Sequence, residues 1–176
     1  MPPNDGDGAL CGLAAAGDRL AFAALVSRHE HRVRRFLAHL AGADLADELA
    51  QESFVRAWQA LPRFRGEASF PSWICAIGWR CYLDHRRRQR SEIRRREAVA
   101  AEPAEAPAPG PDQALDLAAA LARLDAVERA ALVLCDGHGW SHVDAAAILG
   151  LPLGTIKGTI SRAKKKCRAM LTEPVP

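Results

Sequence analysis

A chain of 176 residues has room for one medium domain or two small ones, and a hydrophobic fraction of 49% excludes a disordered protein. The formal net charge is only +3, but residues 80–97 hold eight Arg against three acids, residues 154–168 hold six Lys/Arg and no acid, and the rest sums to −8. Two cationic segments on an acidic body suit a polyanion at two places and a basic protein elsewhere. No run of 18 apolar residues offers a membrane span, and MPPNDGDGAL lacks the positive start and apolar core of a signal peptide. Five cysteines, an odd number without CxxC spacing, favour reduced thiols in a cytoplasm. No Cys or His pair has the spacing of a structural zinc site, so neither metal nor cofactor is expected.

Residues 1–17 are rich in Gly, Pro and Asp and read as a loose N-terminus. From Asp18 onward Phe22, Leu25, Val26, Val33, Phe36, Leu37 and Leu40 fall on one helical stripe, with Arg28, His29, His31, Arg32 and Arg34 elsewhere. His29 and His31 are two apart, share no helical face, and read as solvated. The next helix, Asp44 to Leu61, turns Ala46, Ala50, Phe54, Ala57 and Leu61 inward. On another side Asp44, Glu48 and Glu52 form a ladder of like charge flanked by Leu45 and Leu49. Exposed leucine beside unpaired acid suits a basic helical partner.

Pro62 ends that helix, and RFRGEASFPSW (63–73) reads as a structured loop feeding another. Phe70, Trp73, Ile74, Ile77 and Cys81 give its buried stripe, and Arg86, Arg87, Arg88 and Arg90 follow. Trp79, Arg80 and Tyr82 lie off the stripe, an arrangement of rings and cations suited to single-stranded nucleic acid; packing of Trp79 on a neighbouring helix is the plainer alternative. Residues 98–114, with four prolines and no large apolar residue, read as a flexible linker between domains.

Leu115, Leu117, Leu121, Leu124, Val127 and Leu132 then lead into SHVDAAAILGLPLGTIKGTISRAKKKCRAML (141–171). Ser141 can cap a short helix that Gly150 ends, with Pro152 and Gly154 following. In the second helix Ile156, Ile160, Ala163, Cys167 and Met170 share a buried face, and Lys157, Ser161, Arg162, Lys164, Lys165, Lys166 and Arg168 occupy the other. That is the pattern of a helix-turn-helix whose second helix enters a DNA major groove. Gly158 inside it should cost roughly 1 kcal/mol relative to Ala. The whole chain reads as all-α, and no constellation of catalytic residues or phosphate-binding loop points to an enzyme.

These motifs, in this order, resemble a bacterial extracytoplasmic-function (ECF) sigma factor of the sigma-70 family: DELAQESFVRAWQALPRFRGEASFPSWICAI, an Arg-rich end, a Pro/Ala linker, then LARLDAVERAALVLCDGHGWSHVDAAAILGLPLGTIKGTISRAKKK. The resemblance implies a region 2 helical bundle at 18–97, a linker at 98–114, a region 4 helix-turn-helix domain at 115–171 and a tail at 172–176. It implies binding to core RNA polymerase, recognition of minus-35 and minus-10 promoter elements, and promoter melting.

Carried onto this sequence, Asp44, Leu45, Asp47, Glu48, Leu49, Gln51 and Glu52 match the segment that docks on the β′ coiled coil, with the β subunit as a further contact. Arg63, Phe64, Arg65, Gly66, Glu67, Ala68 and Ser69 match the loop that captures a flipped minus-10 base. Arg80, Arg86, Arg87 and Arg88 suit upstream phosphates. Lys157, Gly158, Ser161 and Arg162 match minus-35 base readers, with Thr155, Lys165 and Lys166 placed for backbone contact. The chain departs from the common pattern at CAIGWR (75–80), where many relatives read close to YRIARN, and at Gly158. The family often has an anti-sigma partner, which can hold such a cytoplasmic protein at the membrane; no small-molecule substrate is implied. Two other classes stay open on the residues alone: a regulator that dimerises through residues 18–92, and an interaction protein whose basic faces bind acidic partners.

Overall fold

The computed structural model describes residues 6–99 and 113–172, all of whose regular structure is helical. Helix α1 spans Asp7–Ala15, α2 Arg19–Ala41, α3 Ala43–Ala60, α4 Phe70–Val99, α5 Gln113–Arg123, α6 Ala126–Leu132, α7 His142–Leu149 and α8 Leu153–Thr172. A 3-10 turn at Leu61–Arg63 follows α3, and a wider turn at Val133–Gly137 follows α6. The expected linker falls mostly at 100–112, and most of the tail at 173–176, outside the described residues.

Local chemistry sets the helix ends. The Asp18 carboxylate accepts from the Leu20 and Ala21 amides (2.8 and 3.1 Å) and starts α2. Gly42, at φ +88°, makes a one-residue joint that only glycine adopts easily, and α3 packs on α2 beyond it. Asp125 and Glu128 form a capping box at α6. Ser141 caps α7 through the Asp144 amide (3.1 Å), and Gly150 in the left-handed region ends it. Helices α7 and α8 meet at 102°, the angle of a helix-turn-helix.

The residues up to 99 and those from 113 are docked together. One core cluster runs from Leu25, Phe36, Leu37, Leu49 and Ile74 to Leu134, Ala145, Ile148, Ile156 and Ile160, with α4 packed on α7 and α2 on α6. A smaller cluster of Ala120, Leu124, Ala163 and Cys167 joins α5 to α8. All five cysteines are free; four are buried and Cys135 is half-buried.

Four sequence expectations are corrected. The segment read as loose is helix α1 from Asp7, with Cys11 and Ala14 buried against α2. His29, read as solvated, is buried and bonded to Asp7 of that helix. Trp79 and Tyr82 are buried (4% exposed each), so the plainer alternative holds. They sit in the cluster that α7 completes with Ala145, Ile148 and Leu149, a burial that the periodicity of α4 alone does not reveal. Leu49 is likewise buried rather than exposed.

Candidate nucleic-acid interface

Helix α8 divides cleanly. Ile156, Ile160, Ala163 and Cys167 are buried, while Thr155, Lys157, Ser161, Arg162, Lys165 and Lys166 are exposed and Gly158 is half-buried. Arg162 donates from Nη2 to Thr159 Oγ1 (3.1 Å), which lays its guanidinium back along the helix. Two lysines have protein partners. Lys166 Nζ donates to both carboxylate oxygens of buried Glu128 (2.7 and 2.8 Å), and Lys164 pairs with Asp136 (2.9 Å). The sequence grouped Lys166 with the backbone contacts, but here it ties α8 to α6.

The second basic surface runs along α4 from Arg80 onward. Arg80, Arg87 and Arg88 are exposed, and Arg86 lies 5.8 Å from the Tyr82 ring. At its base Arg56 donates to Asp84 (2.8 Å) and Glu52 (2.6 Å), and Arg88 reaches the same Glu52 oxygen (3.4 Å). The Asp84 bond, and less so Glu52, pushes the Arg56 pKa further up, so this guanidinium is permanently charged. The loop before α4 exposes Arg63, Arg65, Gly66, Glu67, Ala68 and Ser69, and Gly66 takes φ +70°. Ser69 Oγ caps α4 at the Ser72 amide (3.3 Å). Phe64 is packed instead, its ring 4.7 Å from Trp73.

On α3 the acidic ridge exposes Asp44, Asp47, Glu48 and Gln51. Asp47 pairs with Arg34 (2.6 Å) and Glu52 with Arg56, while Asp44 and Glu48 have no ion pair among the described residues. Leu45 is half-buried. The apolar surface beside the ridge comes from residues that the sequence reading did not single out for this role. A hollow lined by Phe22, Val26, Gln51, Val55 and Trp58 opens between α2 and α3, with Val55 exposed. Val55 lies off the buried stripe of its helix, and that was the available signal.

One edge of each basic surface lines a common cleft, with Asp125 and Glu128 of the α6 capping box between them. Leu83, Arg86, Arg87 and Arg90 line it from α4, and Thr155, Thr159 and Arg162 from α8. The two halves are also clasped through α2: the Arg32 guanidinium lies 5.3 Å from the Trp140 ring, and His138 sits edge-on to Phe36 and His39. A helix-turn-helix module docked on a helical bundle with a second arginine-rich face defines a two-module DNA-reading protein.

Comparison with known proteins narrows that class. Sigma-70 region 2 matches residues 25–92, and Sigma-70, region 4 matches residues 114–167. The probable RNA polymerase sigma-C factor of Mycobacterium bovis is 34% identical, over 93% of this chain and 88% of that protein. The RNA polymerase sigma factor CnrH of Cupriavidus metallidurans is 32% identical over 97% of both. Among solved structures, the sigma factor RpoE in complex with the anti-sigma factor NepR from Bartonella quintana aligns with TM-score 0.72 and 29% identity, covering 88% of this chain and 98% of that one. CnrH in complex with the cytosolic domain of CnrY aligns with TM-score 0.71 and 31% identity, covering 94% and 96%. The chain belongs to the ECF sigma factors of the sigma-70 family. It is an alternative sigma factor, a transcription regulator that acts in transcription initiation.

Proposed function

We propose that residues 18–97 and 115–171 are the two promoter-reading domains, and that the structure is their closed, DNA-free state. The single observation carrying this is the shared cleft. Minus-35 and minus-10 elements lie some 25 base pairs apart, about 85 Å at 3.4 Å per pair. Faces that meet across one cleft cannot reach both, so promoter engagement separates the modules.

In the open state Lys157, Gly158, Ser161 and Arg162 read minus-35 base edges, with Thr155 and Lys165 on phosphates. Arg63, Arg65, Gly66, Glu67 and Ser69 surround the extruded minus-10 base, Phe64 supports them from behind, and Arg80, Arg86, Arg87 and Arg88 neutralise phosphates upstream. Asp44, Asp47, Glu48 and Gln51 meet the β′ coiled coil, with the Phe22–Trp58 hollow as the apolar seat beside them. The groove lined by Leu117, Leu121, Leu132 and Leu171, rimmed by Lys164 and Arg168, is the β subunit contact.

That the RpoE relative carries an anti-sigma factor, and superposes on both modules of this chain at once, supports an anti-sigma partner that holds the closed form. The protein acts in the cytoplasm, without enzymatic chemistry or cofactor. Mixing it with core polymerase, followed by gel filtration and promoter-dependent transcription, tests the reading. Co-elution and specific initiation are expected; footprinting of palindromic duplex by the chain alone would favour the dimeric regulator.

A further inference from the structure

Helix α1 places a buried carboxylate against a buried imidazole. Asp7, 4% exposed, accepts from His29 Nε2 at 2.8 Å and from Arg28 Nη1 at 3.1 Å. A carboxylate is taken this far out of water only with good partners, so the bond fixes where α1 sits on α2 and how the His29 ring is turned. The same ring packs against the residue that closes the loop assigned to the minus-10 base. His29 lies 5.4 Å from Phe70, the first residue of α4, and Phe70 is edge-on to Phe64 (6.3 Å, 87°). Phe64 and Phe70 are the two ends of the exposed stretch 65–69, and both rest on Trp73 (4.7 and 5.8 Å). Helix α1 also packs on the 3-10 turn Leu61–Arg63 that leads into the loop. One N-terminal helix therefore braces the loop at its entrance directly and at its exit through His29.

We propose that Asp7 and His29 are positioning residues for minus-10 recognition: the Asp7–His29 bond sets the Phe70 ring, and Phe70 with Phe64 sets the loop that receives the extruded base. This rests on the reading of residues 63–69 as the minus-10 loop. Neither residue touches DNA. A captured base needs a preformed pocket, because extruding it already costs a few kcal/mol and a loop that must also be ordered gives less back.

The test uses the full chain with core polymerase and a fork-junction DNA whose single strand carries the minus-10 sequence that the wild-type holoenzyme selects from a randomised library. Asp7→Ala, His29→Gln and Phe70→Leu should each weaken fork-junction binding about tenfold, the scale of one aromatic contact. Affinity for core polymerase and for minus-35 duplex should stay within about twofold. Asp7→Asn, whose amide oxygen still accepts from His29, should restore near wild-type binding, whereas His29→Gln keeps the bond but lacks the ring. Should Asp7→Ala fail to fold, His29→Gln and Phe70→Leu decide the matter. Unchanged fork-junction binding, or equal losses in all three measurements, would overturn the inference. Arg65→Ala with Glu67→Ala separates it from the reading beneath: if that pair leaves fork-junction binding intact, the loop assignment fails; if only the pair weakens binding, the brace alone fails.

Discussion

Arg129 Nη1 donates to the carbonyl oxygen of Leu40, 89 residues earlier, at 3.1 Å. The same guanidinium donates from Nη2 to the Ala122 and Leu124 carbonyls (2.7 and 3.3 Å), so one cation closes the C-terminal ends of α2 and α5 together. With Arg32 against Trp140, this is the polar part of the clasp between the modules. Arg129→Ala combined with Trp140→Ala should loosen it. A larger radius of gyration by small-angle scattering is expected, together with tighter binding of minus-35 duplex by the free chain.

Lys165 and Lys166 are neighbours with different tasks. Lys166→Ala strands a buried carboxylate that is also part of a capping box, and should cost about 1–2 kcal/mol in urea unfolding, discounted because the lysine is half exposed. Lys165→Ala should leave stability alone, weaken all duplex sequences alike, and reduce the salt dependence of binding by about one phosphate contact. The sequence put both on phosphates.

The acidic ridge of α3, proposed to dock on core polymerase, invites charge reversal, but Glu52 is a poor place for it because it holds Arg56 and Arg88. Asp44→Lys with Glu48→Lys changes two exposed acids that have no ion pair among the described residues. It should abolish co-elution with core polymerase and leave minus-35 duplex binding by the full chain unchanged. Retained co-elution would remove the role given to α3.

Much of this was legible because the signals are local. Ser141, Gly150 and the period-3.6 stripe of α8 needed only short-range chemistry, and the structure follows them, with Ile156, Ile160, Ala163 and Cys167 buried and only Met170 of the stripe half-buried. What escaped depends on partners distant in sequence. Asp7 and His29 are 22 residues apart, and a segment with Gly8 and Gly12 carries a weak helix signal until its buried face finds α2. Tyr82 read as surface, and Trp79 was left open between surface and packing, because α7, which packs on α4 in the same cluster, lies some 65 residues on. The Lys166–Glu128 pair spans 38 residues and leaves no periodic trace.

His138 gives the clasp a pH dependence. Burial, then the charges of Arg35, His39 and Arg32, push its pKa from 6.5 down to about 4. The folded chain therefore keeps this ring neutral while the unfolded chain takes up a proton near pH 6.5. Stability should fall as pH drops from about 6.5 toward 4 and level off below that. Burial also lowers the His29 pKa, against the opposing pull of Asp7, and this contributes with the same sign. Melting temperatures between pH 7.5 and 5 should decline, and decline less in His138→Phe.

Gly158 lies among the residues of α8 proposed to read minus-35 DNA, in ordinary helical geometry, without a positive φ to justify glycine. A Cβ added there would meet only Arg162 Nη1 at 3.5 Å, an ordinary contact. Nothing in the fold opposes alanine, and removing a glycine from a helix interior should raise stability by roughly 0.5–1 kcal/mol. The added methyl would stand on the surface proposed to meet the major groove, next to the Arg162 guanidinium. Gly158→Ala should therefore melt higher yet bind minus-35 duplex several-fold more weakly, with Ser161→Ala as a comparison that changes a reader without adding bulk. Thermal melts and duplex titrations on the same preparations measure both. A gain in stability with unchanged affinity would show that the glycine is tolerated rather than used.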